Sequence, residues 1–167
     1  MPISTPNLVA DPVLLERYDA PAIIRHSNEI VTSYYNSLST TILQGEPVII
    51  GNRVGLAVRT ILPGTVGSVV MDWIADFRVD PALAASILQN DTVWWSYDVT
   101  TVAAGVGGAV RAAPTNGFIL GIAVPPPTPI RINGSSKMIV AAVGDTYVRA
   151  MSNYEPVVAI GTIPAFN

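Results

Sequence analysis

No apolar stretch in this chain is long enough for a helical membrane span, and nearly every one is cut by glycine, proline or asparagine after about one strand's length. The two greasiest, residues 117–124 and 138–143, fall well short of the ~20 consecutive apolar residues that a bilayer-crossing helix needs. Such punctuation also rules out long amphipathic helices, which leaves short strands joined by tight turns. Gly51-Asn52 is a two-residue turn in which both positions tolerate positive φ, and it folds Pro47–Ile50 back on residues 54–58. Leu62-Pro63-Gly64 marks the next turn. From Thr65 to Val79 the apolar residues Val66, Val69, Met71, Trp73, Ala75, Phe77 and Val79 alternate with Ser68, Asp72, Asp76 and Arg78, predicting one long half-buried strand.

Asp80-Pro81 then supplies a helix N-cap and a first-turn proline, and Asn90 a C-terminal stop, so residues 80–90 predict a two-turn helix. Strand character returns at residues 91–102 with Val93, Trp94, Trp95, Tyr97 and Val99, and the small, glycine-rich run 103–108 reads as a loop. Further strands are expected at residues 109–112, 118–124, 130–132, 138–143 and 146–151, with Asn133-Gly134 as a hairpin turn and residues 125–129 as a stiff proline connector. Residues 1–36 show no sustained period and carry Pro2, Pro6, Pro12 and Pro21, which predicts an extended arm with at most a turn or two of helix after Asp11. The tail from Ser152 is uncharged after Glu155 and still apolar, so it is expected to dock on something. The expected architecture is mainly β: a small β-barrel or β-sandwich core over residues 37–151 with one short helix, an N-terminal arm of residues 1–36 and a C-terminal tail of residues 152–167.

Charged residues make up 13% of the chain, about half the usual share, and mean hydropathy is +0.44. With no spanning segment, such a surface implies cover by the protein itself or by partners, because interface centres are depleted of charge. Net charge is −3 and the nine basic residues are scattered, so no stripe exists to neutralise successive phosphates, and neither nucleic acid nor membrane is an expected partner. Lys137 is the sole lysine; arginine suits interfacial ion pairs, and GC-rich codon usage would give the same bias. The N-terminus lacks the basic and apolar regions of a signal peptide.

Candidate chemistry is thin. Without cysteine there are no disulfides, thiolate metal sites or thiol nucleophiles, and the one histidine, His26, lies alone in the arm. Asp72, Asp76 and Asp80 recur every four residues, which on a helix would line up a cation site but on a strand gives one solvent-facing edge of carboxylates, the reading the alternation favours. Residues 105–108 lack the Lys-Ser/Thr and following helix of a phosphate loop. Asn90-Asp91-Thr92 and Asn133-Gly134-Ser135 match the glycosylation pattern and read as turns. Trp73, Trp94 and Trp95 could stack on a sugar or base, but neighbours on a strand face opposite ways, so one of the adjacent pair is expected in the core and the other in a subunit contact. No catalytic, cofactor-binding or metal-binding residue is assigned, and an enzyme is not expected.

The run Gly45-Glu-Pro-Val-Ile-Ile-Gly-Asn-Arg-Val-Gly-Leu-Ala-Val58 resembles the opening of the phage capsid cement, or decoration, family DUF2190. The later order is similar too: a glycine-rich turn at residues 63–67, an alternating strand to Val79, Asn90-Asp-Thr-Val-Trp-Trp95, Gly117-Phe-Ile-Leu-Gly-Ile-Ala123 and a closing strand at residues 146–151. The likeness spans about residues 40–151 and departs from the family's pattern at Val79-Asp80, where a lysine is usual, and in the length of both ends. It implies a homo-oligomeric virion protein, dimer or trimer, made in the host cytoplasm. Such a protein binds the outside of a shell built from an HK97-like major capsid protein and reinforces contacts between capsomers. A phage tail or host-attachment β-module is the alternative.

Overall fold

The computed structural model describes residues 22–26, 31–98, 107–125, 132–134, 136–153 and 156–163. Eleven strands run through them: β1 (Ala22–His26), β2 (Val31–Tyr35), β3 (Pro47–Ile50), β4 (Arg53–Ala57), β5 (Val66–Val70), β6 (Trp73–Arg78), β7 (Thr92–Ser96), β8 (Gly108–Val110), β9 (Gly117–Ala123), β10 (Tyr147–Ser152) and β11 (Ala159–Ile160). They form two antiparallel sheets, one in the order β1-β6-β10-β9-β7-β8 with β11 also on β9, the other β2-β5-β4-β3. Among the described residues no helix is long and apolar enough to cross a membrane.

The mainly-β expectation holds, and of its two forms the barrel is not realised. The larger sheet curls until Ala109 of β8 meets Val79, just past β6, in a single parallel bridge, which leaves it open. Its concave face carries Trp73, Phe77, Val93, Trp95, Phe118, Leu120 and Val148, and the smaller sheet adds Val54, Leu56 and Val70 to the same buried cluster. On the other side of the smaller sheet a second cluster gathers Tyr34, Ile42, Val48, Ala57, Ile61, Val69 and Met71. The smaller sheet is thus apolar on both faces, which is why β3 and β4 read as near-continuous hydrophobic runs.

Local turn chemistry places the hairpins as expected. Gly51 sits at φ +61°, and Ile50 pairs with Arg53 across the two-residue turn. Gly64, at φ +71°, closes the turn from Leu62, whose carbonyl accepts the Thr65 N–H at 3.2 Å. In β9, a Cβ on Gly117 would collide with the Trp95 carbonyl, so only glycine lets β7 lie this close.

Four expectations are corrected. The long strand of residues 65–79 is two strands in different sheets, broken at Met71-Asp72. Ser152 pins that corner: its hydroxyl donates to Asp72 Oδ1 at 3.3 Å and accepts the Trp73 N–H at 3.2 Å. The helix of residues 80–90 shrinks to a 3-10 turn, Ala84–Ser86. Asp80 instead braces the turn that precedes it, Oδ1 accepting the Ala82 N–H at 2.9 Å, while Leu83 stands at the N-cap with no side-chain cap bond. But Ile87 turns extended and is fully buried, Leu88 bridges Ile139, and Asn90 takes φ +65°. Burial of Ile87 outweighs the few tenths of a kcal/mol per residue that helix propensity offers.

The arm is shorter than expected, because residues 22–26 and 31–35 are strands, β1 on β6 and β2 on β5. Residues 1–21, with the helical turn expected after Asp11, lie outside the described residues. Finally, the strand expected at residues 138–143 reduces to the bridges Ile132–Met138 and Leu88–Ile139, and of the one expected at residues 130–132 only Ile132 is among the described residues. Asn133 caps a wider turn than the two-residue one, its Oδ1 accepting the Lys137 N–H. Residues 126–131, most of the proline connector, and Ser135 fall outside the described residues.

Asn36, in a stretch the sequence left featureless, is fully buried. Its Nδ2 donates to the Thr40 and Ile61 carbonyls at 2.9 and 3.0 Å, and its Oδ1 accepts the Leu38 N–H at 3.0 Å. Asn36→Ala strips three backbone groups of a partner and is expected to lower the unfolding free energy by about 2 kcal/mol in a urea titration. A change below about 0.5 kcal/mol would mean water replaces the amide.

Candidate functional site

The residues that sequence reasoning weighed for chemistry do not meet in one place. His26 ends β1, opposite Trp73 in the pairing with β6. Asp76 lies directly across from Arg149 of β10, and the two form a bidentate ion pair, Nε to Oδ1 at 2.9 Å and Nη2 to Oδ2 at 3.2 Å. Asp72 holds the corner serine and Asp80 braces the turn that leads into the 3-10 helix. Asp76 is buried, not part of a solvent-facing row, so the carboxylate face expected from the spacing is corrected: each of the three has its own structural task. Among the described residues no three of His, Asp and Glu converge as a metal site would require. Residues 105 and 106 of the glycine-rich run lie outside the described residues, and Gly108 belongs to β8.

The tryptophans divide as strand geometry demands. Trp73 and Trp95 are buried and flank Phe77 edge-on, with ring centroids 5.3 and 6.1 Å apart. Trp94, on the opposite face of β7, stays half-buried. No stacking platform results from Trp73 and Trp95.

Two ionic features escaped the sequence. Asp91 accepts the Leu88 N–H at 2.9 Å and pairs with Arg111 at 3.0 Å and Lys137 at 3.3 Å. One carboxylate so ties the entry to β7, the segment after β8 and the turn at Asn133. Glu46, just before β3, accepts the Leu43 N–H on Oε2 at 2.7 Å. Burial pushes its carboxyl up to about 7, against the opposing pulls of that N–H and the Arg78 charge. The Tyr97 phenol, which neighbours it after β7, is pushed up as well, first by burial and then by the charges of Glu46 and Tyr34. Neither feature has a sequence signal, since the cations of Asp91 come from remote segments and the shift of Glu46 comes first from burial that only the fold supplies.

What the surface offers is apolar side chains. Tyr35, Leu62 and Val66 stand exposed around one end of the β2–β5 pair, with Val31 at the other end of β2. Leu83 and Val143 are exposed beside the 3-10 turn, where the Gly144 N–H reaches the Pro81 carbonyl. The tail expected to dock does so in its described part: residues 156–160 run along β9, the Ile119 N–H donating to the Val158 carbonyl at 2.9 Å and the Val157 N–H to the Asn52 carbonyl at 2.8 Å.

Every described carboxylate singled out above is engaged in holding the fold. A family model described as phage cement protein matches residues 26–124. No curated protein and no solved structure matches the chain.

Proposed function

The chain belongs to the phage cement protein family, and from that premise we propose that it decorates the outer face of a phage head, self-associates, and stabilises contacts between capsomers of an HK97-like major capsid protein without catalysing a reaction. The observation that carries the reading is the pairing of a charge-poor sequence with exposed large apolar residues at separate points, Tyr35, Leu62 and Val66 at one and Leu83 and Val143 at another. Separate adhesive points suit a protein that bridges neighbours, because modest contacts add up when many copies sit on one lattice.

The contact arm of this proposal is residues 1–21, whose Pro2, Pro6, Pro12 and Pro21 restrict the free chain and so lower the entropy lost on wrapping a neighbour. Purified protein added to heads that lack it is expected to co-sediment with them at saturable, lattice-defined occupancy, visible by cryo-electron microscopy on the outer shell. Density confined to the tail would overturn the reading. Deletion of residues 1–21 is expected to weaken head binding at least ~tenfold while the body stays folded; unchanged occupancy would remove the arm from the proposal.

A further inference from the structure

Among the described residues the main order of the two sheets ends in four strands, of which three are guarded, and β11, paired with β9 alone, has only two residues. β1 carries a bulge between Ile23 and Arg25. β8 has three residues and meets Val79 by a bridge. β3 has four residues and begins with Pro47. These are the devices by which proteins keep exposed strand edges from pairing with other chains. β2, Val-Thr-Ser-Tyr-Tyr, has no charge, no proline and no bulge, and among the described residues it pairs with β5 alone.

The phase of its ladder can be read off. Asn36 donates its N–H to the Thr65 carbonyl at 2.9 Å, and the register continues through Tyr35–Val66 to Val31–Val70. Alternate residues of an antiparallel strand turn both backbone groups to the same side, so Tyr34 and Thr32 bond towards β5 while Val31, Ser33 and Tyr35 aim theirs at the open edge. The side chains of those same three residues are exposed, Val31 by 41% and Tyr35 by 52%.

We propose that this edge is the docking site for a second copy of the chain, β2 pairing antiparallel with its counterpart across a two-fold axis at Ser33. In that register Ser33 meets Ser33, and Val31 of each copy meets Tyr35 of the other, every pair formed from outward-turned backbone groups. Cross-strand Val–Tyr and Ser–Ser pairs are favourable, and with no charge on the strand or on Leu62 and Val66 beside it, the two-fold sets no like charges opposite each other. The two four-stranded sheets become one continuous sheet. The inference deepens the self-association proposed above and rests on it.

Analytical ultracentrifugation of the full chain tests it. Wild type is expected to show a reversible, concentration-dependent dimer, or a larger even-numbered assembly. Ser33→Pro deletes the outward N–H at the axis but none of the bonds to β5, and Val31→Lys places a charge at each end of the new ladder. Each is expected to weaken association at least ~tenfold with the melting temperature preserved; Val31→Lys decides the matter if the proline variant fails to fold. A monomeric wild type, a trimer, or an assembly indifferent to Val31→Lys overturns the proposal. Head binding by the variants separates the two readings: variants that bind heads as sparse monomers retain the decoration role, whereas a wild-type dimer that never binds heads sinks that role and leaves the dimer standing.

Discussion

Trp73→Ala is expected to remove about 4 kcal/mol from the unfolding free energy, enough to leave a protein of ordinary marginal stability largely unfolded at physiological temperature. Trp73 opens β6 and is 1% exposed, and its indole Nε1–H donates to the Val54 carbonyl at 3.3 Å. It therefore joins the larger sheet to the smaller one by packing and by a hydrogen bond. Truncation empties the volume of an indole in the shared cluster, loses the edge contact with Phe77 and orphans a carbonyl. Trp73→Phe keeps most of the apolar volume and loses the N–H, so it is expected to cost about 1–2 kcal/mol. Guanidinium unfolding followed by circular dichroism reads both; a Trp73→Ala loss under about 2 kcal/mol would show that the sheets are held together elsewhere.

Stability is also expected to fall as pH rises through the slightly acid range, and Glu46 is the cause. Its carboxyl titrates at about 7 in the folded protein against 4.5 as a free side chain, so the native state binds the proton more tightly than the unfolded one. The stabilisation is complete below about pH 4.5, drains away as pH climbs, and is gone above about pH 7. The shift corresponds to about 3 kcal/mol as an upper figure, trimmed by the part of the side chain that solvent still reaches. Glu46→Gln keeps an oxygen to accept the Leu43 N–H and has no proton to exchange. The difference between the wild-type and Glu46→Gln stability profiles, taken from denaturant midpoints at successive pH values, should therefore carry this slope. Parallel profiles between pH 4.5 and 7 would refute the assignment.

The features legible in the sequence are those fixed by short-range chemistry. Gly51-Asn52 and Pro63-Gly64 had to turn, Trp94 and Trp95 had to part, and the runs between them had to be strands. Alternation failed at Met71-Asp72 because it survives a change of partner. Val69 and Met71 face the second cluster and Trp73 and Phe77 the first, yet all four keep odd numbers across the corner. The helix after Asp80 failed because a correct start signal says nothing about where Ile87 must go. Asp76 looked like a solvated charge and Asp91 like a turn residue because Arg149, Arg111 and Lys137 come from remote segments that no local pattern connects to them. Asn36 had no signal at all. The shortage of charge was visible in the sequence, but which strand edge lies open among the described residues depended on the order of the sheets, which only the fold supplies.

That order also governs when the protein can assemble itself. β10, made from residues 147–152, sits between β6 and β9 in the middle of its sheet, although most of the chain must be translated before it exists. Until it emerges from the ribosome, β6 and β9 have no common neighbour, and Ser152 is not there to fasten the corner at Asp72. A nascent chain is therefore expected to keep two ladders unfilled until late in synthesis, because the pairings of β10 join residues far apart in sequence. A chain cut before residue 147 lacks this strand altogether and is expected to aggregate when expressed, which its partition between soluble and pelleted fractions would read.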